Sequence, residues 1–294
     1  MASDLKLGKT PASYDSRDLK FQDYLVTERL PEPPARFGYG TAFGDWGMLG
    51  NGPDNSVERG FRGAGDCVFA GAAHETMLWN AEAGTSVSFT GANVIADYGA
   101  VTGYVLDDPS TDNGTNVRTA LGYRRSTGIV DAQGVRHKIG AYVALEPGNW
   151  EQLMQAVYTL LAVGIGIQFP GSAMDQFNSG QVWSVVSGAT IEGGHYVSVT
   201  GRRAPDDIGL ITWGRRQGMT RSFYTKYCDE AWGFISQEEL KNGKNVRGFD
   251  YASLQEALQQ LKRSSAGAKK VTRSAGRARA AARPATGPKR SRKR

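Results

Sequence analysis

The stretch Gly63-Ala-Gly-Asp-Cys67-Val-Phe-Ala-Gly-Ala72 puts a cysteine at the point where a glycine-rich loop turns into a helix. Asp66 is a favoured N-cap residue type, and the helix is expected to continue through Ala73-His-Glu-Thr-Met-Leu-Trp-Asn-Ala81. Phe69, Ala72, Ala73, Thr76, Leu78 and Trp79 give it a broad apolar face, and its many small residues imply close packing on all sides. A cysteine in the first turn lies at the positive end of the helix dipole, which favours the nucleophilic thiolate. The adjacent Asp66 charge opposes this. A buried structural cysteine is the competing role for Cys67.

A partner appears 128 residues later, where Gly193-Gly-His195-Tyr-Val-Ser-Val opens a strand. A histidine on a strand facing the helix start could hold the imidazolium of a Cys–His pair. His74 is two helical turns from Cys67, about 10 Å, which is beyond hydrogen-bond reach. His137 has no evident partner, and Cys228 reads as a core residue in the middle of a helix spanning 220–231. The two cysteines and three histidines show no zinc spacing, so neither a metal nor a cofactor is expected.

The surrounding pattern changes character along the chain. Residues 1–40 read as an extended arm, broken by Pro31, Pro33 and Pro34 and pinned by Tyr14, Phe21, Tyr24 and Phe37. Residues 41–262 form the folded domain. Thr90 is expected to start a second helix, Asn116 or Thr115 a third through 117–125, and Asn149 a fourth with sequence Trp-Glu-Gln-Leu-Met-Gln-Ala-Val-Tyr. Short Val-, Ile- and aromatic-rich runs then dominate: 137–145, 164–169, 181–186, 194–202, 208–214 and 232–235 read as strands. A last amphipathic helix is expected at 251–261. Helices first and an antiparallel sheet second is an α+β arrangement.

Composition divides the chain again. With 40% hydrophobic and 22% charged residues it is neither collagen-like nor wholly disordered. The net charge of +6 is uneven: 262–294 carry 13 Lys and Arg and no acid, leaving 22 basic against 29 acidic residues before them. Residues 263–294 have one large apolar side chain, Val271, and are expected to be a disordered basic tail. Lys269, Lys270, Arg273, Arg277, Arg279, Arg283, Lys289, Arg290, Arg292, Lys293 and Arg294 would contact nucleic acid through phosphates, without base readout because no aromatic is present. A solvated tail is the plainer alternative. No apolar leader or span is visible, so a cytoplasmic location with reduced cysteines and no membrane partner is expected.

The landmarks resemble those of papain-like cysteine peptidases, in a divergent bacterial or phage form. Cys67-Val-Phe-Ala-Gly-Ala matches the head of that family's central helix, and Gly194-His195 its histidine strand. Ile211-Thr-Trp213-Gly214 matches its Asn-Ser-Trp-Gly motif, and Trp232-Gly-Phe234 a second Trp-Gly. The resemblance spans about residues 12–240. It implies a helical lobe with the central helix, a β-sheet lobe, and peptide or protein substrates cut by a Cys67–His195 dyad with Trp213 shielding it. Two departures stand out. Ile211 occupies the slot of the histidine-orienting Asn, and Phe61 that of the oxyanion-hole Gln. Asn51 or Asn55, with the Cys67 backbone amide, would then supply the oxyanion donors. No inhibitory pro-region is recognisable, and the 50–65 loop is expected beside the cleft, where it could occlude it. A catalytically inactive papain-fold binding or structural protein, associated with nucleic acid, is the alternative the two departures favour. A compact cell-wall amidase fits poorly with the long Cys–His gap.

Overall fold

The computed structural model describes residues 4–24 and 32–236. The last expected helix and the basic tail lie outside the described residues. Six α-helices are present among the described residues: α1 Cys67–Glu82, α2 Gly91–Thr102, α3 Val117–Ser126, α4 Trp150–Leu160, α5 Gly171–Asn178 and α6 Arg221–Tyr227. The strands are β1 Phe37–Gly38, β2 Ile129–Val130, β3 Arg136–His137, β4 Ile139–Leu145, β5 Val163–Pro170, β6 Ile191–Ala204, β7 Asp207–Thr212, β8 Arg215–Thr220 and β9 Cys228–Ser236.

The main sheet is antiparallel, in the order β4-β9-β5-β6-β7-β8, with β1 pairing to β6. β2 and β3 form a separate small ladder. The fold is thus α+β, with α1–α3 ahead of most of the sheet and α4–α6 set between its strands. Three helix starts form where side-chain chemistry requires them. Thr90 accepts from the Asn93 amide at 3.2 Å, Asn116 from Thr119 at 3.3 Å, and Asn149 from Gln152 at 3.1 Å.

α1 is buried at every position from Cys67 to Asn80, as its small residues imply. It packs on the β6 face that carries Tyr196 and Ser198. His195 and Val197 lie on the opposite face, since strand side chains alternate. Two buried residues tie α1 to the sheet. Glu75 Oε1 accepts from Tyr196 Oη at 2.8 Å and Ser198 Oγ at 3.0 Å, while Arg124 of α3 meets Glu75 Oε2 at 2.7 Å. Burial pushes the Glu75 carboxyl upward, and Arg124 opposes the shift. Glu75 lies two turns beyond Cys67 and Tyr196 directly follows His195, so this clamp sets the helix that Cys67 heads against the strand that carries His195.

Several expectations are corrected. The 181–186 run is not a strand: its pairing with β8 is the isolated Trp183–Met219 bridge, and its Trp183 fills the core. α5 and β8 were not anticipated; α5 is only eight residues long, and β8 is a Gly- and Arg-containing edge strand without clear alternation. The helix expected over 220–231 ends at Tyr227, and Cys228 begins β9. In the arm, Phe21 and Tyr24 are buried, Phe37 packs edge-on against Tyr158, and Tyr14 is exposed while its hydroxyl donates to the Asp229 carbonyl.

Candidate active site

Cys67 opens α1 and is buried. Asp66 is not the side-chain cap its type suggests. Its carboxyl makes no cap hydrogen bond, and its backbone carbonyl instead accepts from Phe69 at 2.7 Å and Ala70 at 3.1 Å. Burial drives the Asp66 carboxyl well above the usual carboxylate range, toward the neutral acid. Burial likewise pushes the Cys67 thiol up to about 12, opposed by the backbone amides of Tyr196 and Gly8. Desolvation outweighs the helix-dipole effect, and the resting side chain is a thiol.

His195 is fully buried on β6, opposite Ile167 of β5. Its ring lies flat on Trp213, with centroids 4.2 Å apart and planes at 16°. Phe169 meets it edge-on at 5.6 Å. Trp213 holds this position with a left-handed backbone, φ 45°, which is uncommon for a non-glycine residue and costs about 1–2 kcal/mol. The adjacent Gly214, at φ 73°, completes the turn and receives the Trp46 amide at 3.1 Å. His195 Nε2 lies 2.7 Å from Thr212 Oγ1, and Nδ1 has no hydrogen-bond partner among the described residues. Burial alone lowers the imidazole to about 3, so the ring is neutral.

Ile211 is buried against α1 in the helical core, as is Phe61. Neither offers a hydrogen bond to the site. Thr212, one residue on, meets the imidazole. Alternation puts successive strand side chains on opposite faces, so a hydroxyl beside the aligned slot was the signal available in the sequence. Asn51 is buried and donates to Ala64 O at 3.1 Å. Asn55 is exposed and closes its own loop by accepting from Gly60 at 3.3 Å. The Cys67 amide sits in the first helical turn, where N–H groups have no intrahelical acceptor.

His74 binds Gly47 O through Nε2 at 3.0 Å, and burial lowers it to about 4. His137 has a partner after all, Asp131 at 3.0 Å. Cys228 is partly buried, and its thiol is directed to the Glu230 carbonyl at 3.4 Å.

The cleft is filled, though not by the 50–65 loop. That loop's middle folds onto the start of α2, where Ser56 Oγ accepts from Gly91 N at 2.7 Å. Residues 5–10 cross the site as an extended segment with one isolated bridge, Lys9 to Thr115. Lys6 N donates to Asn51 O at 3.1 Å, and Trp213 Nε1 to Lys6 O at 3.2 Å. Gly8 and Lys9 amides reach Gly194 O at 3.1 and 3.0 Å, Thr115 N donates to Gly8 O at 2.7 Å, and Thr10 N to Thr115 O at 3.0 Å. Gly8 passes so close to Gly65 that a Cβ on it would lie 1.8 Å from the Gly65 carbonyl oxygen. Only glycine fits there.

No sequence family and no curated protein matches the chain. Solved structures do. Xylellain, a cysteine protease from Xylella fastidiosa, superposes with TM-score 0.61 at 12% identity, covering 79% of this chain and 97% of that one. ProCathepsin B S9 from Trypanosoma congolense gives 0.56 at 13%, covering 79% and 86%. Digestive procathepsin L 3 from the larval midgut of Tenebrio molitor gives 0.51 at 16%, covering 74% and 76%. At these identities the likeness speaks for architecture, and the chain has the fold of the papain-like cysteine proteases.

Proposed function

We propose that the chain is a cysteine peptidase or amidase, held latent by its own residues 5–10. The observation that carries the reading is the extended segment laid against Cys67, which the Gly8 amide meets, and along Gly194, the residue before His195. It is gripped through main-chain hydrogen bonds to Gly194 and Thr115, which is how a groove binds peptide irrespective of side chain. In the open site, His195 donates Nε2–H to Thr212, and its Nδ1, without a partner among the described residues, is the atom that would take the thiol proton once Cys67 is brought to it. Nδ1 takes the thiol proton as sulfur attacks the substrate carbonyl. The Cys67 backbone amide stabilises the resulting oxyanion, with Asn51 the supporting side-chain candidate; the solvent-facing Asn55 has weaker support. The imidazolium then protonates the leaving amine, releasing it and leaving a thioester. Water, deprotonated by His195, cleaves the thioester to acid and free thiol. Trp213 keeps bulk water from the imidazole.

The second reading is a non-catalytic papain-fold protein. What favours it is burial, which drives Cys67 and His195 to their neutral forms in the closed state. The two readings separate on the rate of Cys67 alkylation against pH in a Cys228→Ser background, measured for Gly8→Val with and without His195→Ala. Fast alkylation below neutral pH that disappears in His195→Ala is expected. Slow alkylation with ordinary thiol titration, unaffected by His195→Ala, would leave the binding-protein reading.

The block of 13 basic residues at 262–294 supports sequence-independent attachment to nucleic acid. Duplex DNA binding should weaken steeply between 50 and 200 mM salt, as counterion release requires; affinity independent of salt would refute the tether. Among the described residues no helix is long and apolar enough to cross a membrane.

A further inference from the structure

Lys9 is the only side chain of the cleft segment to bury a charge completely, with 1% of it exposed. Its ammonium lies 2.9 Å from Asp229 Oδ2 and 3.2 Å from Glu230 Oε1, and donates to Thr10 O at 3.1 Å. Glu230 is itself 2% exposed, and its other oxygen accepts from Trp232 Nε1 at 2.9 Å. Opposite Glu230 in the β5–β9 ladder stands Gly166. A Cβ at that position would lie 2.1 Å from Lys9 Cε and 2.6 Å from Glu230 Cγ. A missing side chain on β5 and two carboxylates on β9 therefore make a slot for one long cationic chain.

We propose that this slot, built by Gly166, Asp229 and Glu230, is the specificity pocket of the cleft and selects substrates with a lysine or arginine side chain, Lys9 being its tethered occupant. The inference rests on the peptidase reading for the word substrate, and on geometry alone for the pocket. The pocket takes the residue next to the one lying over Cys67, because Gly8 covers the nucleophile and Lys9 follows it. A buried carboxylate left without its cation is strongly disfavoured, so Glu230 demands a replacement charge once the segment leaves. An uncharged isostere such as norleucine fills the slot but leaves Glu230 unpaired. Losing one partner of such a pair corresponds to roughly 30-fold or more in affinity.

The test uses full-length Cys67→Ser/Gly8→Val, so that the segment is displaced and turnover cannot interfere. Two blocked tetrapeptides that differ only in Lys against norleucine are titrated by calorimetry. The Lys peptide should bind at least about 30-fold tighter, and the ratio should collapse to within about threefold in Glu230→Gln/Asp229→Asn. Equal affinities, or a preference that survives the double substitution, would overturn the proposal. A second arm needs no displaced segment: amide hydrogen exchange at Gly8, Lys9 and Thr10 in Lys9→Met and Lys9→Arg. Exchange should accelerate about 30-fold for Met and stay near the parent for Arg; equal rates for the two would count against the pocket. Neither arm involves Cys67 chemistry. A failed alkylation test with a Lys preference intact would remove the peptidase reading alone.

Discussion

At the scale of single residues the informative one is Thr212. A hydroxyl can donate or accept, so unlike an amide oxygen it orients His195 without enforcing one tautomer. Thr212→Val keeps the shape and removes the partner. Alkylation of Cys67 in the Gly8→Val background should slow by roughly 10- to 100-fold, with Thr212→Ser recovering most of the rate, if positioning is the role. His74 gives a different residue-scale prediction. It binds Gly47 as a neutral ring held at about 4, below the ordinary value of 6.5. Below pH 6.5 the unfolded chain takes up a proton at this site that the folded chain refuses. Its contribution is therefore complete above 6.5 and lost as pH falls toward 4. Relative to His74→Gln, the parent should lose about 3 kcal/mol over that window, measured by urea denaturation at a series of pH values. A constant difference between the two proteins would refute the assignment.

At the scale of elements, the α1–β6 contact decides whether a nucleophile and a base can cooperate. Glu75, Tyr196, Ser198 and Arg124 form a buried network there. Arg124 also lies over the Phe234 ring, 4.6 Å from its centroid, which ties α3 and β9 into the same joint. Arg124→Met would leave the Glu75 carboxyl buried without its countercharge, and unfolding should become easier by about 3–5 kcal/mol. Adding Glu75→Gln should return much of that loss, since the uncompensated charge is then gone. A denaturant midpoint for each single and double variant completes the cycle. The sequence signal for this network was a Glu in the middle of a helix rich in small and apolar residues, because such a residue is seldom buried without a partner.

At the scale of the whole molecule, the segment of residues 5–10 governs what the site can do. Its Gly8 amide lies against Cys67, and burial is the leading cause of both the thiol's rise to about 12 and the imidazole's fall to about 3. Removing the segment should move both back toward ordinary values, which favours proton exchange between them. Gly8→Val, which places a side chain where 1.8 Å is available, should raise Cys67 alkylation at pH 7 by about tenfold or more. An unaltered rate would show that something other than this segment limits access.

How much of this was legible beforehand divides along a physical line. Read alone, the sequence determined what local chemistry controls. A cysteine heads a helix of small residues, caps stand at Thr90, Asn116 and Asn149, and alternating valines follow His195. Those signals depend on neighbours a few positions away, and with the order of the Trp-Gly motifs they were enough to suggest the fold. Tertiary structure alone decided what rests on contacts between distant residues. Thr212 instead of Ile211 meets the imidazole because strand alternation, not motif alignment, aims side chains. Lys9 meets Asp229 and Glu230 across some 220 positions. Cys67 is a thiol at rest although its place on the helix argued for a thiolate, because desolvation scales with everything packed around the sulfur, whereas the dipole belongs to the helix itself.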